Sequence, residues 1–490
     1  MFSLSLSSGF HHQSNKMASN LKNEVDFISN MPDPVLELIL QRLPTTEVVR
    51  TSVLSTRWRY LWTSIPLFPS LNIDFYHALR PPYITNKQAK PLIKFVSWAL
   101  ANKTVDLDSF RLCCVGYFGF STVEMLIKAA VNRNVKSLDL KFYPKPTMFD
   151  GLIGGYWFDN CVSFLGLPDY LVSCKSLESL RLSVYQHAIS LDGCKRFERL
   201  KVLELNNVYC YEGDSVETFL EKCPLLEDLS LIDCLIRIED PICISSSKLK
   251  TLIIRNWKNV LYGNIADFWC GLKVCCPKLL NFEYVGRRGE LILEDVDSLK
   301  KAVIHPEDML QQKISPTLGK TVSKLLGGIS HVDSLSLNLY FVQCIDATND
   351  PQGDFPASFP NLKTLELTTT IDAFTMKVLI HILRCSPNLE CLRLIIQKEL
   401  LTSEHWELDE VEARGLLTRH LKRVEFLELN GEEHKLGIAR LLLEHGYELK
   451  EMVFSWSNEV SYHEKSGETM NEVSECHKSS TVKLIALLKD

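Results

Sequence analysis

The chain has 490 residues, of which 46% are hydrophobic and 23% charged. Those are globular proportions, and the length exceeds one ordinary compact core unless the architecture is elongated or repetitive. Lys+Arg number 54 against Asp+Glu 60, a net charge of −6 without a long basic run, so a nucleic-acid footprint is not expected.

The first residues are rich in Ser, His and Asn and lack a basic segment followed by a continuous apolar one. They do not read as a secretory signal, and residues 1–24 are expected to be disordered. Met17 is a second candidate start. No apolar stretch is long enough for a spanning helix, so no membrane partner is expected. The 16 cysteines are scattered without a C-x-x-C pair. That pattern predicts neither zinc nor disulfides, but small buried apolar side chains in a reducing compartment, cytoplasmic and/or nuclear.

The first informative segment is Met31-Pro32-Asp33-Pro34-Val35-Leu36-Glu37-Leu38-Ile39-Leu40-Gln41-Arg42-Leu43-Pro44. Asp33 suits a cap, Pro34 a first helical position, and Leu36, Ile39, Leu40 and Leu43 form one apolar stripe that Pro44 ends. A second helix is predicted from Thr45-Thr46-Glu47 with Val48, Val49, Val53 and Leu54 apolar. Ser55 is the candidate cap of a third, in which Trp58 and Trp62 share a face. Three short helices make a core too small to stand alone, so the module is expected to complete itself against a partner or the next domain.

The segment from Met31 to Pro44, and above all Arg50-Thr51-Ser52-Val53-Leu54-Ser55-Thr56-Arg57-Trp58-Arg59-Tyr60-Leu61-Trp62, closely resembles the plant F-box pattern over residues 25–70. Met31 departs from it where a Leu usually precedes the Pro, a volume-conserving exchange. The resemblance implies docking on a Skp-type adaptor and, through it, a cullin. It places adaptor contacts at Met31, Pro32, Leu36, Ile39, Leu43, Val53, Trp58 and Trp62.

From residue 71 onward one phrase recurs, L-x-x-L-x-L, at 107–112, 135–140, 177–182, 200–205, 226–231 and 249–254. Looser copies lie at 279–284 and 299–304, and the phrase returns at 332–337, 362–367, 389–394, 424–429 and 449–454. The spacing is roughly 20 to 35 residues, the range of leucine-rich repeats. Each phrase predicts a short strand whose alternate side chains point inward, and stacked strands build one continuous core. A Gly- and aromatic-rich insertion around 151–158 interrupts the spacing. Cys174, Cys223, Cys276, Phe359 and Cys385 stand just before their phrases, a recurring slot that reads as buried rather than catalytic.

Residues 423–429 read as a strand, Asn430-Gly431 as a turn, 432–445 as an amphipathic helix capped by Gly446, and 448–454 as another strand. This resembles the FBD segment that ends many plant F-box proteins with leucine-rich repeats. Residues 455–477 lack a periodic apolar pattern and are expected to form a loop, with a final strand at 482–488.

The fold class expected is therefore α/β: a short N-terminal three-helix F-box followed by a curved leucine-rich-repeat solenoid with a parallel sheet. The domains are 25–70, 71–420 and a C-terminal block at 421–490. No nucleotide, hydrolase or metalloprotease signature occurs. Asp106 with Asp108, and Glu294 with Asp297, read as solvated turns, and Gly327-Gly328 as a turn. No catalytic residue, metal or cofactor is expected. The function implied is a substrate receptor of a ubiquitin ligase. The alternative is a non-degradative binding scaffold. The target is unidentified, because outward strand positions such as Glu178, Arg181, Asp228 and Glu366 are mixed in charge.

Overall fold

A computed structural model describes residues 28, 30–43, 47–48, 51, 54–58, 61, 70–74, 93–94, 96–97, 99–101, 106–115, 120–143, 168–188, 196–210, 216–236, 242–261, 264–265, 271–287, 290–307, 316–346, 358–370, 373–396, 420–429, 436–446, 448–457, 459–476 and 482–488. The expectations for 1–24 and for the insertion at 151–158 lie outside the described residues. The chain divides into two compact units, Met1–His187 with Cys194–Leu200, and Ala188–Gly193 with Lys201–Asp490.

The first unit holds a helix at Asp33–Leu40 and the parallel strands β1 (Ser70–Asp74), β2 (Ser109–Val115), β3 (Ser137–Tyr143) and β4 (Ser179–Ala188). Helices at Phe120–Val131 and Asp169–Val172 lead into β3 and β4. β1 belongs to no phrase read from the sequence, yet Leu71 and Ile73 stand opposite Phe110 and Leu112 in the same register. The phrase does what its period predicts: Leu177, Leu180 and Leu182 are all buried.

In the second unit, β5 (Val202–Cys210), β6 (Asp228–Ile232), β9 (Thr251–Leu261), β12 (Asn281–Arg287), β14 (Lys301–Glu307) and β15 (Ser334–Leu337) pair in parallel, each with the next. The ladder continues through β16 (Thr364–Thr369), β17 (Cys391–Ile396), β18 (Arg423–Leu429), β19 (Glu451–Trp456) and β20 (Lys483–Leu488). β7 (Leu235–Ile236) extends the ladder beside β5 and β9, and β10 (Asn264–Ile265) turns back on β9. A second sheet, unforeseen in the sequence, joins β8 (Ile242–Ser245), β11 (Leu272–Cys275) and β13 (Leu291–Glu294). It backs the units whose connections are brief, as from Asn281–Arg287 to Lys301–Glu307. Longer connections carry helices instead, at Pro316–Gly328, Leu339–Asp346 and Ala373–Arg384. Gly327 and Gly328 close the first of these rather than forming a turn.

The joint between successive strands is the same down the unit. The Lys201 carbonyl accepts from the N–H groups of Glu227 and Asp228 at 2.8 and 2.9 Å, and the Glu227 carbonyl accepts from Lys250 and Thr251 at 2.7 and 3.0 Å. The residues at this joint alternate in sign where they pair: Lys250 with Glu227 at 2.7 Å, Lys300 with Asp333 at 3.5 Å and Lys422 with Glu390 at 3.3 Å. Asp108 follows the same rule with Lys136 at 2.7 Å, and Glu294 pairs with Lys273 at 2.9 Å, so these carboxylates are partnered rather than merely solvated.

Two readings of the C-terminal block change. Val424 stands opposite Leu392 and Met452, and Phe426 opposite Leu394 and Phe454. The repeat phrase is therefore 421–426, three residues ahead of the one read at 424–429, because Leu421 fills the leading apolar position. Residues 459–476, expected as a loop, form a helix, Glu459–Cys476. It buries Val473 while most of its described side chains stay exposed or half-buried, so a polar helix meets the array along a narrow line. β20 falls within the strand expected at 482–488.

Gly446 follows the helix Leu436–His445, and its reason is space rather than a left-handed turn. A Cβ there would stand 2.5 Å from the Leu442 carbonyl oxygen and 3.1 Å from the Leu449 Cβ. Gly446→Ala is expected to cost about 1–3 kcal/mol, read as a lower chemical-denaturation midpoint.

The cysteine slot is only partly buried. Cys223 and Cys276 are buried, whereas Cys174 and Cys385 are half-buried, and Cys276 follows a strand instead of a helix. Burial pushes the Cys276 thiol to about 11 and that of Cys234 to about 12. Iodoacetamide on the native chain should label Cys385 and spare Cys223, Cys234 and Cys276 until the protein is unfolded, as peptide mass spectrometry would show.

Candidate functional site

The helix Asp33–Leu40 carries apolar side chains on two faces. Leu36 and Leu40, one turn apart, are wholly buried. Val35, Leu38 and Ile39 point away from them and stay exposed, Leu38 at 62%. Leu54 is 64% exposed, and Ile28 and Leu43 are exposed as well. Most of the large apolar side chains exposed among the described residues belong to this short segment. Such a concentration marks a surface built to be covered.

The segment is held by polar links. Asp33 is the first helical residue behind Pro32 and makes no cap bond, so its predicted capping role is not the one it fills. Its carboxylate instead accepts from Arg57 Nε at 2.8 Å and from Nη2 at 2.5 Å, and Arg57 also donates to the Met31 carbonyl. Ser55 does act as the cap: its Oγ accepts from the Trp58 N–H at 3.3 Å.

Of the residues assigned to the adaptor by resemblance, Pro32, Ile39 and Leu43 are exposed and Met31 is half-buried. Leu36, at 0% exposure, and Trp58, at 7%, lie in the interior and present little surface. Val53 and Trp62 lie outside the described residues. Leu38, Val35, Leu54 and Ile28, which the resemblance did not assign, are exposed as well. Val35 and Leu38 are apolar off the predicted stripe, a signal that one apolar face is not enough for this helix.

The outward face of the second unit's late ladder strands carries a chain of polar side chains. His305 Nε2 stands 2.8 Å from Ser336 Oγ, which donates to Glu366 Oε1 at 2.9 Å. Arg393 reaches Glu366 Oε2 at 3.9 Å and donates from Nε to Glu425 Oε2 at 2.8 Å. Arg423 donates from Nε to Glu425 Oε1 at 2.5 Å and from Nη1 to Glu451. The Ser–His–Glu grouping is not that of a nucleophile, because the Ser336 hydroxyl gives its proton to Glu366 and leaves His305 the donor. Among the described residues no His, Cys, Asp and Glu cluster could hold a metal ion, and no helix is long and apolar enough to cross a membrane.

Burial lowers the His305 pKa from 6.5, with Glu366 and Glu283 opposing the shift. A group whose folded pKa is lowered in this way contributes stability fully above about 6.5, and loses it as the pH falls and the ring must charge. Denaturation midpoints between about pH 7 and pH 5 should therefore decline less steeply in His305→Gln than in the parent.

Comparison with known proteins places this geometry. Residues 28–70 match the F-box domain model. Residues 152–266 match a model described as FBD-associated F-box protein At5g56370, LRR repeats. The chain is 28% identical over 442 residues to the F-box/FBD/LRR-repeat protein At3g52680 of Arabidopsis thaliana, covering 88% of this chain and 85% of that one. It is 25% identical over 451 residues to the Arabidopsis thaliana F-box/FBD/LRR-repeat protein At5g22700, covering 89% and 93%. With the putative FBD-associated F-box protein At3g50710 of the same organism it shares 25% over 464 residues, covering 92% and 96%.

Proposed function

We propose, from the premise that this chain is an F-box protein with leucine-rich repeats, that it is the substrate-recognition subunit of an SCF-type ubiquitin ligase. The F-box module at 25–70 docks on a Skp-type adaptor and through it on a cullin. The repeats at 71–420 and the block at 421–490 hold the target protein. The chain performs no bond chemistry. It supplies proximity and orientation to a ubiquitin-conjugating enzyme, in the cytoplasm and/or nucleus.

The observation that carries this reading is the second apolar face of the helix Asp33–Leu40. Leu38 and Leu54 stay exposed in a module whose own core is already filled by Leu36, Leu40 and Trp58. An adaptor that buried such a face would gain roughly 1.5–3 kcal/mol per large aliphatic side chain before the costs of association.

Interior and surface then separate by mutation. Leu36→Ala should lower stability by about 2–5 kcal/mol, since it leaves a cavity. Leu38→Asp with Leu54→Asp should leave thermal stability nearly unchanged while abolishing co-purification of the full chain with a Skp-type adaptor and cullin. Retention of both partners by the double variant at the parent's level would overturn the reading.

A further inference from the structure

We propose that the outer edge of β20 is a self-association surface, which takes the β20 of a second copy of this chain as an antiparallel strand. The proposal goes beyond the substrate-receptor reading and does not depend on it.

β20 pairs with β19 from Lys483 opposite Glu451 to Leu488 opposite Trp456, and no strand among the described residues pairs with its other edge. The Lys483 N–H donates to the Lys450 carbonyl at 2.8 Å. Successive residues of a strand turn their peptide groups to opposite edges. Lys483, Ile485 and Leu487 therefore serve β19, while the N–H and C=O groups of Leu484, Ala486 and Leu488 face outward.

Terminal strands are commonly blunted by charge, proline or a bulge. β20 has only Lys483, followed by five apolar residues in succession, Leu484-Ile485-Ala486-Leu487-Leu488. β1, terminal in the first unit, alternates instead, with Leu71 and Ile73 buried and Ser70, Asn72 and Asp74 polar on the other face.

The core beneath β20 is left open as well. Met452, Phe454 and Trp456 of β19 are at most 2% exposed, whereas Leu484, Ala486 and Leu488 opposite them are only half-buried. On the other face Ile485 is half-buried and Leu487 is 45% exposed. The helix Glu459–Cys476 packs on both β19 and β20, and so lies across the two strands rather than along the free edge.

These features specify the occupant. A row of unpaired peptide groups calls for extended chain, and apolar side chains on both faces call for a strand apolar on both faces. β20 is itself such a strand, so two copies satisfy each other, and each completes a core the other leaves open. The outward peptide groups admit only antiparallel pairings that set even-numbered residues opposite even-numbered ones. A two-fold axis at Ile485 pairs all of 482–488. Leu484 with Ala486, and Val482 with Leu488, then exchange hydrogen bonds, Ile485 meets its own copy, and Lys483 stands opposite Leu487. An axis at Ala486 would oppose Lys483 to Lys489, like charges across the pair. Charge thus selects the axis at Ile485. Two such short edges make a contact below about 1,200 Å², the small end of specific interfaces, so the pair should dissociate on dilution.

Sedimentation velocity on the full chain should show monomer passing to dimer across about 1–100 µM. Leu487→Lys and Leu487→Glu remove the same apolar surface at an exposed position and differ in the charge set opposite Lys483 of the second copy. The Glu variant should dimerise at least about tenfold more tightly than the Lys variant. Ala486→Pro removes one outward N–H and none that serves β19, at a place where an edge strand tolerates proline. It should leave the chain monomeric with its far-UV circular dichroism unchanged. Should that variant lose its fold, the comparison at Leu487 decides alone. A parent that stays monomeric at about 100 µM, higher oligomers in place of a dimer, or equal dimerisation of the Lys and Glu variants would overturn the proposal. A monomeric parent that captures a labelled Thr-Val repeat peptide would overturn it too, and would give the edge to a strand of another protein.

Discussion

One carbonyl accepting two N–H groups at the head of each strand is the joint on which the second unit depends. Lys201, Glu227, Lys250, Leu280, Lys300, Asp333, Lys363, Glu390 and Lys422 each supply this carbonyl to the next strand. A shared acceptor admits one register, and a slip of a single residue would exchange the inward and outward faces. The joint thus decides that Leu229, Leu252, Phe282 and Ala302 meet in the interior. It also decides that Glu366, Arg393 and Glu425 meet outside. Core and outward polar surface are two consequences of one backbone constraint. The alternating charges at the joint, exposed as they are, add little stability.

The architecture was legible where local pattern and packing agree. L-x-x-L-x-L marks its own strand because the same residues that favour extended backbone are the ones buried. The reading failed where these separate. At 421–426 the apolar positions run on into Leu427 and Leu429, so a strand rich in candidates offered two phases, and only the partners Leu392 and Met452 choose between them. The helix Glu459–Cys476 escaped for the opposite reason, since a helix anchored mainly through Val473 leaves almost no stripe to read. The strands of the second sheet are four residues each, shorter than a period-2 pattern needs to stand out.

The helical module shows a subtler limit. Its residues were recognisable as a group, but a resemblance says which positions belong together and not which side of the helix each one faces. Leu36 and Leu38 are two residues apart on one turn, chemically identical, and end in opposite environments, one sealed and one at 62% exposure. What separates them is geometry. Leu36 shares a face with Leu40 and turns inward, while Leu38 shares a face with Val35 and turns outward. Arg57 sets this choice from a distance in sequence, since its bonds to Asp33 and to the Met31 carbonyl fix the rotation of the helix start relative to the segment that carries Trp58.

The two surfaces then differ in kind. At the helix Asp33–Leu40 the exposed groups are aliphatic, and the docking proposed there would be driven by area removed from water, with little dependence on salt. On β16 to β19 the outward groups are ionised and already paired with each other, so a partner must compete with internal bonds and gains discrimination more than raw affinity. The first chemistry suits one constant partner with a complementary apolar groove. The second suits a variable partner that must be told apart from others by charge. On the proposed reading a protein that joins a fixed machine to a selected target needs both, and here they fall on separate elements with separate means of stabilisation. The outward charges can therefore change without touching the inward leucines, because neighbouring positions on a strand face opposite sides of the sheet. A repeat array can thus acquire a new target while its core and its docking helix stay as they are.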